Sequence, residues 1–334
     1  MAMDGVDSVL ERIVTSAPYS LTTGDFDHAE LLNALLNIDV LQIKDDHLGI
    51  AVPFFLSRDA DVLKELSKKV ANIIAAELLA RKERIADIIS RIDNGFPAER
   101  NLYHILCAYI FDGLMFDYLD ENELVTTSRI HNSGLDYLVI LYEDSALLNE
   151  YSDMLLCSYN RLTVNGKGFV SFGDSNGNRN DFYRYNRQRE LNLLSERERQ
   201  YMTYPTEVLI DKFERMARGE DIERSYVEVF ERFGYCKDGK IVVPVYNTRS
   251  YDIADELYRF IVGIVKEPVG NALALLQRET RLSAIAHGVD VRDIANEIYH
   301  LIFGETNEIL VRSGLVSTPP YYPGEGRYFR SFEQ

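Results

Sequence analysis

Apolar residues at Val6, Val9, Leu10, Ile13 and Val14 recur at helical spacing and stop before Ala17 and Pro18, so the chain is expected to open with a helix. After the polar stretch 21–25, Asp27 can cap a second helix over 28–38, with Leu31, Leu32, Leu35 and Leu36 on one side. Residues 40–43 and 48–55 then alternate about the polar turn 44–47, which is the pattern of a hairpin. A long helix follows from about Ala60 to Ile92, and another over 96–122 with Pro97 in its first turn. Strand-like runs at 135–142, 154–159 and 168–172 lead into a Gly/Asn-rich loop at 173–180 and a charged helix over 191–200. The order of patterns then starts again. Helices are expected at 205–218 and 225–233, and a hairpin at 235–244 turns on Asp238 and Gly239. A long helix over 252–287 should kink or break at Pro268. The tail from Pro319 to Arg330 is aromatic and rich in turn formers.

Residues 53–66 lie over 244–257 without a gap. Pro53, Arg58, Asp61, Glu65 and Leu66 fall on Pro244, Arg249, Asp252, Glu256 and Leu257, and apolar phase is kept on either side. This spacing of 191 residues, Pro53 to Pro244, reads as an internal duplication. Helix, short strand, polar turn, second strand and long helix is also the order found at the end of a winged helix-turn-helix module. On these residues Leu31 to Arg58 resembles the recognition helix, wing and exit of the winged-helix regulators related to the multidrug-resistance repressors. The resemblance implies that the helix leaving the wing builds a dimer interface, and a duplication can place in one chain what such regulators obtain by dimerising. The expected fold is α+β and mainly helical, with two winged-helix-like units in tandem, pseudo-twofold symmetry and a small β insertion. Residues 1–128 would form the first unit with its long helix. Residues 129–200 would hold the β insertion and connecting helix, and 201–334 the second unit with its long helix and aromatic tail.

A chain of 334 residues, 46% hydrophobic and 27% charged, has the composition of a globular protein and room for two domains. Its 53 acidic and 36 basic residues leave a net charge of −17, which repels nucleic acid and anionic membrane over most of the surface. The acidic start at Met1 to Asp7 is unlike a signal peptide, and apolar runs are interrupted as Asp112 interrupts 102–116, so the expectation is a cytoplasmic protein outside the membrane. Cys107, Cys157 and Cys236 are odd in number and widely spaced, which points to neither a disulfide framework nor a zinc knuckle. A DNA-reading helix needs cations, yet Tyr19 to Ile43 holds no Lys or Arg and four acids, Asp25, Asp27, Glu30 and Asp39. In the second copy Arg224 and Arg232 are outnumbered by Glu220, Asp221, Glu223, Glu228 and Glu231. Residues 158–189 reverse the balance. There Arg161, Lys167, Arg179, Arg184, Arg187 and Arg189 face only Asp174 and Asp181, and Phe169, Phe172, Phe182, Tyr183 and Tyr185 interleave with them. Cations for a backbone and rings for stacking are what a nucleic-acid or phosphate surface needs. The preferred reading pairs these arginines with the acidic body of the same protein and puts the rings in a sheet core.

Phe169 to Asn176 is similar to the nucleophile block of the Gly-Asp-Ser-Leu esterases, which would make Ser175 the nucleophile. That family carries its histidine base in an Asp-x-x-His near the C-terminus. His287 and His300 lack this context, and Asp25 to His28 lies far upstream. Residues 174–180 alternate oxygen ligands as a calcium loop does, but lack its glycine and end on Tyr185 where a Glu is needed. His104 and His300 each follow a tyrosine, with no carboxylate at metal-ligating spacing in both copies. No catalytic residue, metal or cofactor is therefore predicted. The reading is a non-enzymatic cytoplasmic regulatory or protein-interaction protein with a protein partner, either a monomer with internal pseudo-symmetry or a homodimer. The alternative is a nucleic-acid-binding transcription regulator using 158–189, and an enzyme with an unrecognised site comes third.

Overall fold

The structure is a computed structural model, described here for residues 4–130, 138–152, 158–174, 178–199, 204–279 and 281–334. The chain begins with α1 (Val6–Thr15), α2 (Ala29–Asn37), β1 (Leu41–Lys44), β2 (His47–Ile50) and β3 (Phe54–Phe55), then α3 (Ala60–Leu66), α4 (Lys68–Ala80) and α5 (Lys82–Ile89). Next, α6 (Ala98–Leu102) runs directly into a π-helical stretch (Tyr103–Leu114) and α7 (Met115–Glu121). The middle of the chain supplies β4 (Leu141–Tyr142), α8 (Asn149–Ser152), β5 (Ser158–Val164), β6 (Lys167–Gly173), α9 (Phe182–Glu190) and α10 (Glu196–Arg199). The rest is α11 (Thr206–Ala217), α12 (Arg224–Arg232), β7 (Cys236–Lys237), β8 (Lys240–Ile241), β9 (Val245–Tyr246), α13 (Thr248–Leu276), α14 (Ser283–Ala286), α15 (Val291–Arg312) and β10 (Tyr328–Glu333). The protein is thus α+β and mainly helical. Among the described residues no helix is long and apolar enough to cross a membrane.

Turn chemistry sets the hairpins. β1 pairs with β2 from Leu41↔Ile50 to Lys44↔His47, leaving Asp45 and Asp46 as a two-residue turn with φ of 51° and 65°. β7 pairs with β8 about Asp238 and Gly239, at 50° and 71°. Positive φ at both central residues is the turn whose twist matches that of the strands. Asn165 and Gly166, at 53° and 77°, close β5 on β6 in the same way. Each two-residue hairpin that follows a helix is locked to it by the same bonds. Val40 N–H donates to Leu35 O and Ala51 N–H to Val40 O, both 3.0 Å, while Tyr235 N–H donates to Phe230 O and Val242 N–H to Tyr235 O at 2.9 and 3.0 Å.

The strand after each hairpin takes a parallel partner. Phe54 and Phe55 pair with Leu141 and Tyr142, and Val245 and Tyr246 with Phe332 and Glu333. Leu141 and Phe332 are themselves one repeat spacing apart. Of the expected strand 135–142 only Leu141–Tyr142 is described as strand, because 131–137 lie outside the described residues, as does 153–157 at the start of the second expected run.

Helix boundaries depart from the sequence pattern in several places. The expected helix 60–92 is divided at Ser67, at φ −107° and ψ −67°, where Ser67 Oγ donates to Leu63 O at 2.6 Å, a back-bond that bends helices. It is cut again at Arg81. By contrast α13 runs unbroken through Pro268 and stops at Leu276, well short of His287. The α2 terminus uses His28 as its flanking residue, with no side-chain cap from Asp27.

The chain packs into two compact units, one from residues 1–74, 115–152 and 265–305, the other from 75–114, 153–264 and 306–334. The breaks at 74/75 and 264/265, and at 114/115 and 305/306, are both separated by the repeat spacing to within one residue. Each unit thus combines the hairpin region of one half of the chain with a helical segment from the other half. These units cut across the division expected at 128 and 200. In the first unit Leu31, Leu35, Val40, Ile50, Phe54 and Leu63 are buried together with residues of α1, α14 and α15. The second unit holds a four-stranded sheet in the order β5-β6-β10-β9, with an aromatic core of Phe169, Phe182, Phe213, Phe230, Phe233 and Tyr235 on one side.

Strand β6 is hemmed in on both faces. A Cβ on Gly173 would sit 2.0 Å from Arg327 O on β10's approach, a clash with backbone that side-chain rotation cannot relieve. Gly173→Ala is therefore expected to destabilise the second unit by about 1–3 kcal/mol, read as a lowered urea midpoint. An unchanged midpoint would show that β6 and β10 are not held this closely.

Candidate functional site

The basic and aromatic segment 158–189 folds as the β5–β6 hairpin, a connecting loop and α9, and the structure sends its side chains to different places. Arg161, on β5, forms an ion pair with Glu333 at the end of β10. Lys167, beside the hairpin turn, pairs with Glu214 of α11 at 2.7 Å. Arg179 is buried; it donates to the carbonyls of Asp174 (2.6 Å) and Ser158 (3.1 Å) and lies 5.3 Å from the Tyr328 ring centroid. Asp181 caps α9 by accepting Arg184 N–H at 2.8 Å, and also accepts from Ser171 Oγ at 2.6 Å. The Arg184 guanidinium reaches back to Arg179 O at 3.3 Å. Tyr185 is buried with its ring 4.7 Å from Phe233. The outer side of α9 keeps the expected surface character. Tyr183 is 42% exposed there, Arg187 lies 3.7 Å from Glu190, and Arg189 contacts Asn186. Arg179 and Tyr185 thus turn inward, Arg161 stays 44% exposed while pairing with the buried Glu333, and Tyr183, Arg187 and Arg189 remain on one exposed helix.

Following Arg161 inward leads to a group of polar side chains at β10. Strand alternation puts Phe329, Ser331 and Glu333 on the side of the sheet that faces the π-helical stretch. Ser331 Oγ is 3.0 Å from His104 Nδ1, and His104 Nε2 is 3.7 Å from Glu333 Oε1 and 3.4 Å from the Tyr251 hydroxyl. Tyr159 OH donates to Glu333 Oε1 at 2.6 Å, and Arg161 and Tyr251 also bond this carboxylate. The imidazole is stacked on Tyr246, centroids 4.2 Å apart and planes 9° apart.

Serine, histidine and glutamate in this order have the connectivity of a nucleophile, base and orienting acid. Their burial assigns them another role. Ser331, His104 and Glu333 are 2%, 2% and 1% exposed, so no substrate reaches the hydroxyl. Burial pulls the His104 pKa down to about 3, and the ring is neutral at physiological pH. Burial works against the charge of Glu333 too, but the Arg161 guanidinium and the Tyr159 and Tyr251 hydroxyls outweigh it and keep the carboxyl below its usual range. Burial raises both phenols well above their normal values, so they stay protonated donors. The site holds an ionised carboxylate on the last strand.

In the first unit, β4 carries the residue one repeat spacing before Glu333. It is Tyr142, whose hydroxyl donates to Glu297 Oε1 of α15 at 2.6 Å. Burial raises the Glu297 carboxyl to about 7 and lowers His300, 3.9 Å away, to about 4. Close by, Arg129 donates to Asp293 Oδ2 and Ala51 O, both at 2.8 Å, on the wall of a polar cavity of about 340 Å³ that Gln42, Thr126 and Asp290 complete. Sequence reasoning singles out His104 and His300 as a possible pair but misses Tyr142, Tyr159, Tyr251, Glu297, Ser331 and Glu333. For β10 a signal is present in the alternation of 328–333. Ser175 and Cys157 lie outside the described residues, and Cys107 is buried with its thiol pushed up by that burial. Among the described residues no group of His, Cys, Asp and Glu is arranged to hold a metal ion. No family model matches the chain, and no curated protein or solved structure matches it either.

The buried network makes stability depend on pH with a definite sign. Between pH 6.5 and about 3 the unfolded chain binds a proton on His104 that the folded chain refuses, so stability falls as pH drops through that window. Glu333, depressed in the folded state, loses its contribution in the same direction as pH falls through its folded value. The urea midpoint is expected to drop from pH 7 to pH 4, and His104→Gln to flatten that dependence. Equal slopes in the two proteins would remove His104 from the acid response.

Proposed function

We propose that the chain is a non-enzymatic regulatory or protein-interaction protein, in which the two hairpin-bearing repeats, winged-helix-like in their element order, serve association rather than the reading of duplex DNA. The observation that supports this is the charge on the helix preceding each two-residue hairpin. The outer side of α2 presents Glu30, Asn33 and Asn37 and carries no cation. On α12 the exposed Arg224 is held by Glu228 and Glu231 at 3.2 and 3.1 Å. Phosphate neutralisation supplies most of the affinity of a DNA-reading helix, and neither helix offers it. The chain is expected to leave duplex DNA unretained on a filter at low salt and to co-purify from its own host with a protein that Glu30→Lys combined with Glu228→Lys releases. Retention of duplex at low salt, or an unchanged complex in the double variant, would overturn this reading.

A second reading is favoured by α9, where Tyr183 and Arg187 lie one turn apart on an exposed side with Arg189 nearby. A ring and two cations suit single-stranded nucleic acid, for which stacking and backbone charge act together. On this reading a single-stranded oligonucleotide binds with an affinity that falls with added salt. Arg187→Ala with Arg189→Ala then lowers the slope of log K against log salt by up to about 0.7 for each phosphate left without its cation. Absence of binding at low salt would dismiss it.

A further inference from the structure

We infer that the exposed segment Pro320 to Pro323 is a preformed proline-rich ligand for an aromatic-lined groove on another protein, of the kind that receives left-handed polyproline helices. Proline fixes its own φ near −65° and bars the preceding residue from helical values. Pro319, Pro320 and Pro323 therefore act on themselves and on Thr318 and Tyr322, so nearly every residue from 318 to 323 is directed to extended backbone. No helix or strand forms between Arg312 and Tyr328. A polyproline helix turns once every three residues, which places Pro320 and Pro323 on one ridge with Tyr321 and Tyr322 between them.

Both ends of the segment are tied down. On one side Val316 and Pro319 are buried and Ser317 N–H donates to Glu99 O at 3.1 Å. On the other, Glu325 N–H donates to Tyr322 O at 3.0 Å across a turn with Pro323 second and Gly324, φ 81°, third, the arrangement that requires glycine at that place. Gly326 N–H then donates to Asn178 O at 2.8 Å, and the chain enters β10. Between these anchors Pro320, Tyr321, Tyr322 and Pro323 stand in solvent, the two tyrosines 70% and 52% exposed. By contrast Tyr103, Tyr235, Tyr246 and Tyr299 are fully buried.

A ridge of two prolines with a phenol on either side matches a groove built from parallel aromatic rings and a hydrogen-bond acceptor at its rim. Because the anchors hold the segment extended before it binds, little conformational entropy is lost in the complex. The ridge is separate from α2, α12 and α9, and its test leaves those helices untouched.

The chain contains no tryptophan. The full protein can therefore be titrated into an isolated WW or SH3 domain while only the tryptophan in that domain's groove is excited. A saturable change in its emission is expected for at least one domain, with the dissociation constant raised roughly tenfold or more by Pro320→Ala with Pro323→Ala, a loss of about 1.4 kcal/mol. If that variant melts early, Tyr321→Ala with Tyr322→Ala reads the same ridge without altering the prolines and is expected to weaken binding likewise. No saturable change with any domain up to about 1 mM, where binding would be worth only about 4 kcal/mol, overturns the inference. So does an affinity unaltered by the variants, or a signal traced to self-association of the chain.

Discussion

The second unit depends on one buried charge. Taking a carboxylate out of water costs several kcal/mol, and the cost is offset only where enough donors meet it. Glu333 is met by Arg161 and by the hydroxyls of Tyr159 and Tyr251, which come from β5 and from the start of α13. These three donors reach their geometry only when β10 is in register with β6 and β9. The carboxylate therefore works as a register lock, since a shift of one residue would turn Glu333 to the opposite face and leave its partners unmet. Everything that uses β10 inherits this condition, including Phe332 in the aromatic core and the seat of His104 against Ser331.

The same position in the first unit is solved with opposite chemistry. The strand there ends in Tyr142 and the acid lies on the helix as Glu297, so a neutral hydroxyl meets a carboxyl whose pKa burial has raised. Phe54–Phe55 with Leu141–Tyr142 and Val245–Tyr246 with Phe332–Glu333 share a register, and their flanking bonds run from corresponding donors to corresponding acceptors. Backbone geometry thus recurs where the side chains do not. In the first unit a rise in pH from 4.5 to about 7 works against the protonated Glu297, whereas in the second unit the losses come on the acid side. His300 in the first unit, lowered to about 4, adds a loss on the acid side as well, so it is Glu297 that departs from the sense shared by the buried histidines.

What the sequence disclosed follows from which signals are local. Both two-residue hairpins after a helix were legible, because Asp45, Asp46, Asp238 and Gly239 adopt positive φ at low cost and apolar residues alternate beside them. Helices 6–15 and 206–217 were legible from their apolar stripes. The break at Ser67 was not, since the apolar period continues across it and only the hydroxyl's bond to Leu63 O reveals the bend. Nor was α9, a helix that buries just Phe182 and Tyr185 and whose remaining charged and polar residues carry no period. The least legible part was the destination of each cation in 158–189. Composition shows an excess of arginine there, but Arg161 finds its acid 172 positions later and Arg179 finds carbonyl oxygens on its own hairpin.

Charge also sets what the surface offers. Among the described residues Arg100 and Arg179 are buried, but so are Asp59, Asp181, Asp293, Glu297 and Glu333, so burial does not offset the acidic excess of the chain. The exterior therefore stays acidic, in line with the net charge of −17, and its field turns polyanions away except where a local cluster such as the outer side of α9 interrupts it. Recognition through proline and tyrosine follows a different physical law. It relies on apolar area and ring contacts, which act only at contact distance and are barely altered by salt, so it neither competes with the repulsive field nor needs help from it. An acidic body bearing one rigid, uncharged ridge between anchored ends separates the two tasks. Long-range charge decides what is kept away, and the short stretch from Pro320 to Pro323 offers a contact that this charge does not govern.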